Sequence, residues 1–196
     1  MATLSQLIAA IAAAEGIDAE RVTAIGRAVR EHGLVRTSGR GTSAAQMEER
    51  DAANLLIATN TADTARTAPA AVLQYRALQA KRDKRTSEFG SELEELISAA
   101  KREVLADYVT KMIAVVGARG HILGKRRYPN EAYQFELTFE KPIPSVFVHI
   151  GASHARPDVI LFSDRREPPI KAGGDRREST RITQRTILAV ANVLRT

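Results

Sequence analysis

The chain has 196 residues, 44% of them hydrophobic, enough for one medium domain or two small ones with a core of ordinary composition. It contains no cysteine, which excludes disulfides, thiolate metal sites and cysteine nucleophiles, and its four histidines, His32, His121, His149 and His154, are too scattered for a zinc cluster. The formal net charge of +6 suits a polyanionic partner, whereas no apolar stretch reaches the roughly 18 uncharged residues of a membrane span and no basic n-region accompanies the apolar run Leu7 to Ala14, so a cytoplasmic protein without membrane contact is expected.

The charge is unevenly spread. Residues 1–75 carry seven Lys/Arg against eight Asp/Glu, residues 76–130 twelve against seven, and residues 131–196 ten against eight. The basic excess therefore lies in the middle, at Lys81, Arg82, Lys84 and Arg85 and again at Arg119, Lys125, Arg126 and Arg127. A nucleic-acid contact in the nearly neutral N-terminal third has to come from local arrangement.

The first element is a helix: Thr3 and Gln6 have capping-box spacing, Leu4, Leu7, Ile8 and Ile11 recur on one face, and Gly16 supplies a stop. Asp18 caps a second helix with Val22, Ile25 and Val29 at helical spacing and Gly33 at its end, and the opposite face carries Thr23, Arg27 and Arg30. That basic stripe suits a reader of the major groove, and it equally suits a solvated face on which Glu20 and Glu31 pair with the arginines.

Next comes a Gly-punctuated basic stretch without an acidic residue, His32 to Met47. Leu34–Thr37 is expected as a short strand, Ser38-Gly-Arg-Gly41 as a turn, and Thr42–Met47 as a return strand. Arg36 and Arg40 offer guanidinium forks for phosphate oxygens, Thr37, Ser38, Thr42 and Ser43 add hydroxyl donors, and the plain alternative is a solvated loop. Glu48, Glu49 and Asp51 suit the N-terminus of a third helix that buries Leu55, Leu56 and Ile57.

The order of helix, short turn, basic-faced helix, strand, Gly-rich turn and strand, carried by Arg30-Glu-His-Gly-Leu-Val-Arg-Thr-Ser-Gly-Arg-Gly41 and Asp51-Ala-Ala-Asn-Leu-Leu-Ile-Ala58, resembles the winged-helix or helix-turn-helix DNA-binding modules of phage and prophage proteins. The resemblance covers about the first third of the chain. It implies a regulator-type protein that contacts double-stranded DNA through the second helix and the wing. Small terminase subunits, which mark viral DNA for packaging, share such modules, but their commoner opening of an aromatic-rich helix and a Gly-Tyr-Ser element is missing here, so that reading ranks second. A non-enzymatic structural or assembly protein of a phage particle is the remaining alternative, and a homo-oligomer is expected in each case.

Beyond Asn60 a connector leads to Thr67 as a cap and Pro69 in the first turn of a helix that continues through Val72, Leu73 and Leu78 into the Lys81–Arg85 cluster. That cluster is either a second phosphate contact, with Lys81, Arg82, Lys84 and Arg85 as its residues, or a solvated helix end. Ser91 and Glu94 open another helix whose Leu93, Leu96, Ile97, Ala100 and Val104 form an apolar stripe, fit for a core or for a dimer.

From Tyr108 onward strand-like runs dominate: Met112–Val116, Tyr133–Phe139, Pro144–Ile150 and Val159–Phe162 predict a small antiparallel sheet, followed by a C-terminal helix over Ser179–Arg195. The expected class is α+β, divided as a winged-helix-like domain (1–66), a helical connector or oligomerisation segment (67–107) and an α+β domain (108–196).

Catalytic motifs fail on spacing. Gly117 to Lys125 lacks both the glycine interval and the Ser/Thr of a phosphate-binding loop, and the basic tract after Gly124 leaves little room for the helix that follows a KH-type Gly-x-x-Gly loop, so a strand-to-strand turn is expected there. His149 and His154 near Asp158 and Asp164 come without a nucleophile motif. No enzymatic activity, cofactor or metal is expected.

Overall fold

The computed structural model describes residues 2–37, 45–80, 91–100, 102–118, 122–123, 126–127, 133–152, 155–164 and 177–195. The N-terminal pair is α1 (Leu4–Glu15) and α2 (Ala19–Glu31). Thr3 and Gln6 form the reciprocal capping box, Gly16 closes α1 in the left-handed conformation (φ 69°), and Asp18 Oδ1 accepts the Glu20 N–H to start α2. Between the two helices Gly26 permits a close approach, because a Cβ there would stand 3.0 Å from Ile8 Cδ1 and 3.7 Å from Leu55 Cδ1.

α3 (Glu49–Thr61) is the centre of the molecule, buried at every position from Asp51 to Thr61. Three consecutive apolar residues, Leu55, Leu56 and Ile57, sweep about 200° of helix circumference, so no single face holds them all. Packing answers this by surrounding α3 with α2, α4 (Ala68–Arg76), α6 (Leu105–Gly117), α7 (Gln184–Arg195) and the edge of the sheet. α5 (Ser91–Ala100) lies against α6.

A five-stranded antiparallel sheet completes the fold, in the order β1 (Gln79–Ala80), β6 (Ala155–Ser163), β5 (Ser145–Ala152), β4 (Tyr133–Lys141), β7 (Glu178–Thr183). Phe135, Leu137 and Phe139 of β4 alternate inward with Val146, Val148 and Ile150 of β5, Phe162 of β6 and Ile182 of β7. The buried face meets the helices, with the Tyr108 and Phe162 rings 5.1 Å apart. The short strands β2 (Ile122–Leu123) and β3 (Arg126–Arg127) form a separate hairpin. One continuous buried cluster runs from Leu7 to Ala191, and α1 packs along α7, so the two ends of the chain share a core.

The α+β class, the leading helices, the antiparallel sheet and the closing helix agree with the sequence reading, and six local expectations are corrected. Leu34–Thr37 and Ala45–Met47 form no strand; the backbone groups that would build a ladder are taken elsewhere, Leu34 O by the Asn54 amide and Arg36 N–H by Asp51. Met112–Val116 belongs to α6, since Leu105, Val109, Met112, Ile113 and Val116 continue a helical stripe that outweighs their β-branching. α4 stops at Arg76, and Gln79–Ala80 pairs with Phe162 and Ser163 of β6. α5 stops at Ala100, leaving Val104 as the N-cap of α6. Glu178–Thr183 is a strand, held by β4 through Ile182 opposite Leu137, and only then does α7 begin. At Gly117, a helix rather than a strand leads into the segment before β2.

The tight α1–α2 contact carries a stability test. Gly26→Leu forces a branched side chain against Ile8 and Leu55 and is expected to lower unfolding free energy by about 1–3 kcal/mol in a urea titration. An unchanged midpoint contradicts the close approach.

Candidate functional site

The site is built from the exposed face of α2 and the segment that leaves it. Gly33 (φ 70°) turns the chain, the Leu34 N–H donates to Val29 O, and Val35 enters the core at 1% exposure. Arg36 then meets the start of α3. Its Nη1 and Nη2 lie 2.7 and 2.6 Å from the two carboxylate oxygens of Glu48, and its Nε lies 2.7 Å from Asp51 Oδ2. Asp51 also accepts the Arg36 N–H on Oδ1 and the Glu48 N–H on Oδ2, each at 3.0 Å. Asn54 adds a 2.7 Å bond from Nδ2 to Leu34 O.

The partners in this clamp differ in burial, which decides their weight. The Asp51 side chain is 7% exposed, and those of Arg36 and Glu48 are 38% and 62% exposed. Asp51 is therefore the group that loses hydration and must be compensated, whereas the forked pair with Glu48 sits in water and contributes little to stability. The hydrogen bonds from Arg36 hold the Glu48 carboxyl below the usual carboxylate range, and Glu48 in turn favours the charged guanidinium.

Of the sequence-derived DNA contacts, Arg27 and Arg30 are exposed on α2 and have no hydrogen bond or ion pair among the described residues, so neither Glu20 nor Glu31 neutralises them. The Thr23 hydroxyl donates to Ala19 O at 2.7 Å and is engaged by its own helix. Arg36 is occupied by the two carboxylates, and Thr37 is exposed beside it. Ser38, Arg40 and Thr42 lie outside the described residues, as do Lys81, Arg82, Lys84 and Arg85. The role of Glu48 and Asp51 as partners of Arg36 went unread in the sequence, which showed only that these acids suit a helix N-terminus.

A second concavity, a cleft of about 430 Å³, lies where α3 and α4 meet the start of β7 and the end of β4. Lys141 Nζ is 2.5 Å from Asp63 Oδ1 and 3.6 Å from Glu178 Oε2, and the Tyr75 hydroxyl donates to Glu140 O. Lys141 draws the Asp63 carboxyl below its ordinary range, and burial pushes the Tyr75 phenol up to about 12. These groups fasten helices to sheet. No group of three or more His, Asp or Glu gathers for a metal among the described residues. His149 is half-buried on the outer sheet face, opposite Glu136 in register.

Comparison with known proteins finds no matching family model, no matching curated protein and no matching solved structure.

The unequal burial in the clamp predicts unequal variants. Asp51→Ala is expected to destabilise the chain by about 3 kcal/mol, a melting shift of roughly 6–12 °C. Glu48→Ala melts close to the parent. Equal losses from the two, read by calorimetry, contradict Asp51 as the compensated group.

Proposed function

We propose that this chain is a DNA-binding protein of the regulator type that meets duplex DNA through the exposed face of α2, with the segment 38–44 acting as a wing beside it. The reading rests on one observation: Arg27 and Arg30 stand exposed and unpaired among the described residues, on a helix whose other face, Val22, Ile25 and Val29, is fully buried. A pair of guanidinium groups one helical turn apart, on a rigidly seated helix, matches the spacing needed to touch neighbouring phosphates or a base edge.

The clamp lends support by a different route. Arg36, Asp51 and Asn54 pin the chain just before the Gly-rich segment, and the Met47 N–H donates to Ala2 O at 2.8 Å just after it. The chain is thereby anchored to the first turns of α3 before residue 38 and to Ala2, ahead of α1, after residue 44. In this reading Arg36 positions the wing, and Arg40 is the arginine that reaches DNA. Lys81, Arg82, Lys84 and Arg85 add sequence-independent attraction.

Fluorescence-anisotropy titrations of random duplex DNA at two salt concentrations test the reading. Arg27→Ala/Arg30→Ala is expected to weaken binding about tenfold and to reduce the salt slope by nearly two, as for two lost phosphate contacts, with Arg40→Ala adding a further step. Affinity and slope equal to the parent's would sink it. Arg36→Ala is unsuitable as a probe, because it strips the charge partner from buried Asp51. Light scattering on the same samples separates a small oligomer from the large ring expected of a packaging subunit.

A further inference from the structure

Glu15 ends α1 immediately before the left-handed Gly16, and its carboxyl is turned against α3. There Asn60, 3% exposed, donates from Nδ2 to Glu15 Oε1 at 3.2 Å, to Leu56 O at 3.0 Å and to Thr59 Oγ1 at 3.3 Å. The other half of the same amide is unsatisfied: Asn60 Oδ1 is buried and has no hydrogen-bond partner. A carboxylate only accepts and cannot serve that oxygen, whereas a protonated carboxyl carries the donor it lacks.

We propose that Glu15 and Asn60 form a proton-dependent latch between the C-terminal end of α1 and α3, closed as a carboxylic acid–amide pair and loosened when Glu15 gives its proton to solvent. The latch sits at the Gly16–Ile17 turn that joins α1 to α2, so it governs how firmly the helical pair is seated on the central helix.

The electrostatic surroundings favour the closed form. Burial is the larger influence and raises the Glu15 carboxyl from 4.5 to about 7, with the Asn60 bond opposing it. The last turn of α1 holds no basic residue, and the helix terminus presents carbonyl oxygens that disfavour a negative charge. Among the described residues, the charged groups on the neighbouring elements are engaged elsewhere or face water. On α2, Arg21 donates to Ala62 O, and Asp18 and Glu20 are exposed. Beyond α3, Asp63 holds Lys141. On α7, which packs along α1, Arg185 is exposed and Arg195 lies against Gly117.

The sign of the pH dependence follows. The unfolded chain releases the Glu15 proton near 4.5 and the folded chain near 7, so between these values the folded state holds one more proton. The contribution of this pair is full below the lower value, falls as pH rises through the window, and levels above it, with its share of the unfolding constant growing by up to about tenfold per pH unit.

The test compares the full chain with Glu15→Gln, whose amide reproduces the donor of the protonated acid, by urea unfolding at pH 4, 5, 6, 7 and 8. The ratio of parent to variant unfolding constants is expected to rise across the series by one to two orders of magnitude, while the variant lacks that component. In parallel, the side-chain carboxyl carbons of ¹³C-glutamate-labelled protein are followed by NMR. One resonance, absent in Glu15→Gln, is expected to titrate near 7. A flat ratio, or a Glu15 resonance with a midpoint below about 5.5, overturns the proposal.

Discussion

Enclosing α3 on every side denies water to the polar side chains that its sequence places between Asp51 and Thr61, and each of them has to find a partner within the protein. Thr59 and Thr61 donate back to carbonyls one turn earlier in their own helix. The others reach outward: Asp51 to Arg36 and two backbone N–H groups, Asn54 to Leu34 O, Asn60 to Glu15. The central helix is thus sewn by its polar residues to the end of α1 and to the segment after α2. Apolar burial seats α3, and these bonds set where the neighbouring loops begin.

The same economy divides the arginines of the N-terminal third by task. A guanidinium next to a buried carboxylate is a structural counter-ion, because its removal leaves the carboxylate undercompensated. A guanidinium on a solvated helix face has no such obligation and is free to neutralise a polyanion. Arg36 belongs to the first kind, Arg27 and Arg30 to the second, although all three look alike in the sequence. The proposed DNA contact therefore rests on α2 and what Arg36 steadies.

At the far side of α3 the sheet supplies a flat apolar wall, with β4 at its heart between β5 and β7. Its alternation is strict from Phe135 to Phe139, and the inward rows of β5 and β7 continue it. The closing helix α7 lies between this wall and α1, so the N-terminal helices are packed against the last residues of the chain. The Lys141–Asp63 and Tyr75–Glu140 contacts tie the end of β4 to α3 and α4.

Elements whose signals are local were legible in the amino-acid order. Caps at Thr3, Asp18 and Gly16, the acidic start of α3 and the period-two alternation of β4 depend on residues within a few positions of one another, and all appear where those residues predict them. Elements decided by distant partners were not. Leu34–Thr37 has the composition of a strand, yet Asn54 and Asp51 claim its backbone; Ser179–Thr183 reads as the start of a helix, yet the open edge of β4 takes it into the sheet. The exposed arginines of α2 could be read as candidates from their spacing alone. That Arg27 and Arg30 have no partner among the described residues, that Arg36 is spoken for, and that Glu15 lies against Asn60 were decided only by tertiary structure, because a charge acquires its role from the burial and partners that folding brings to it.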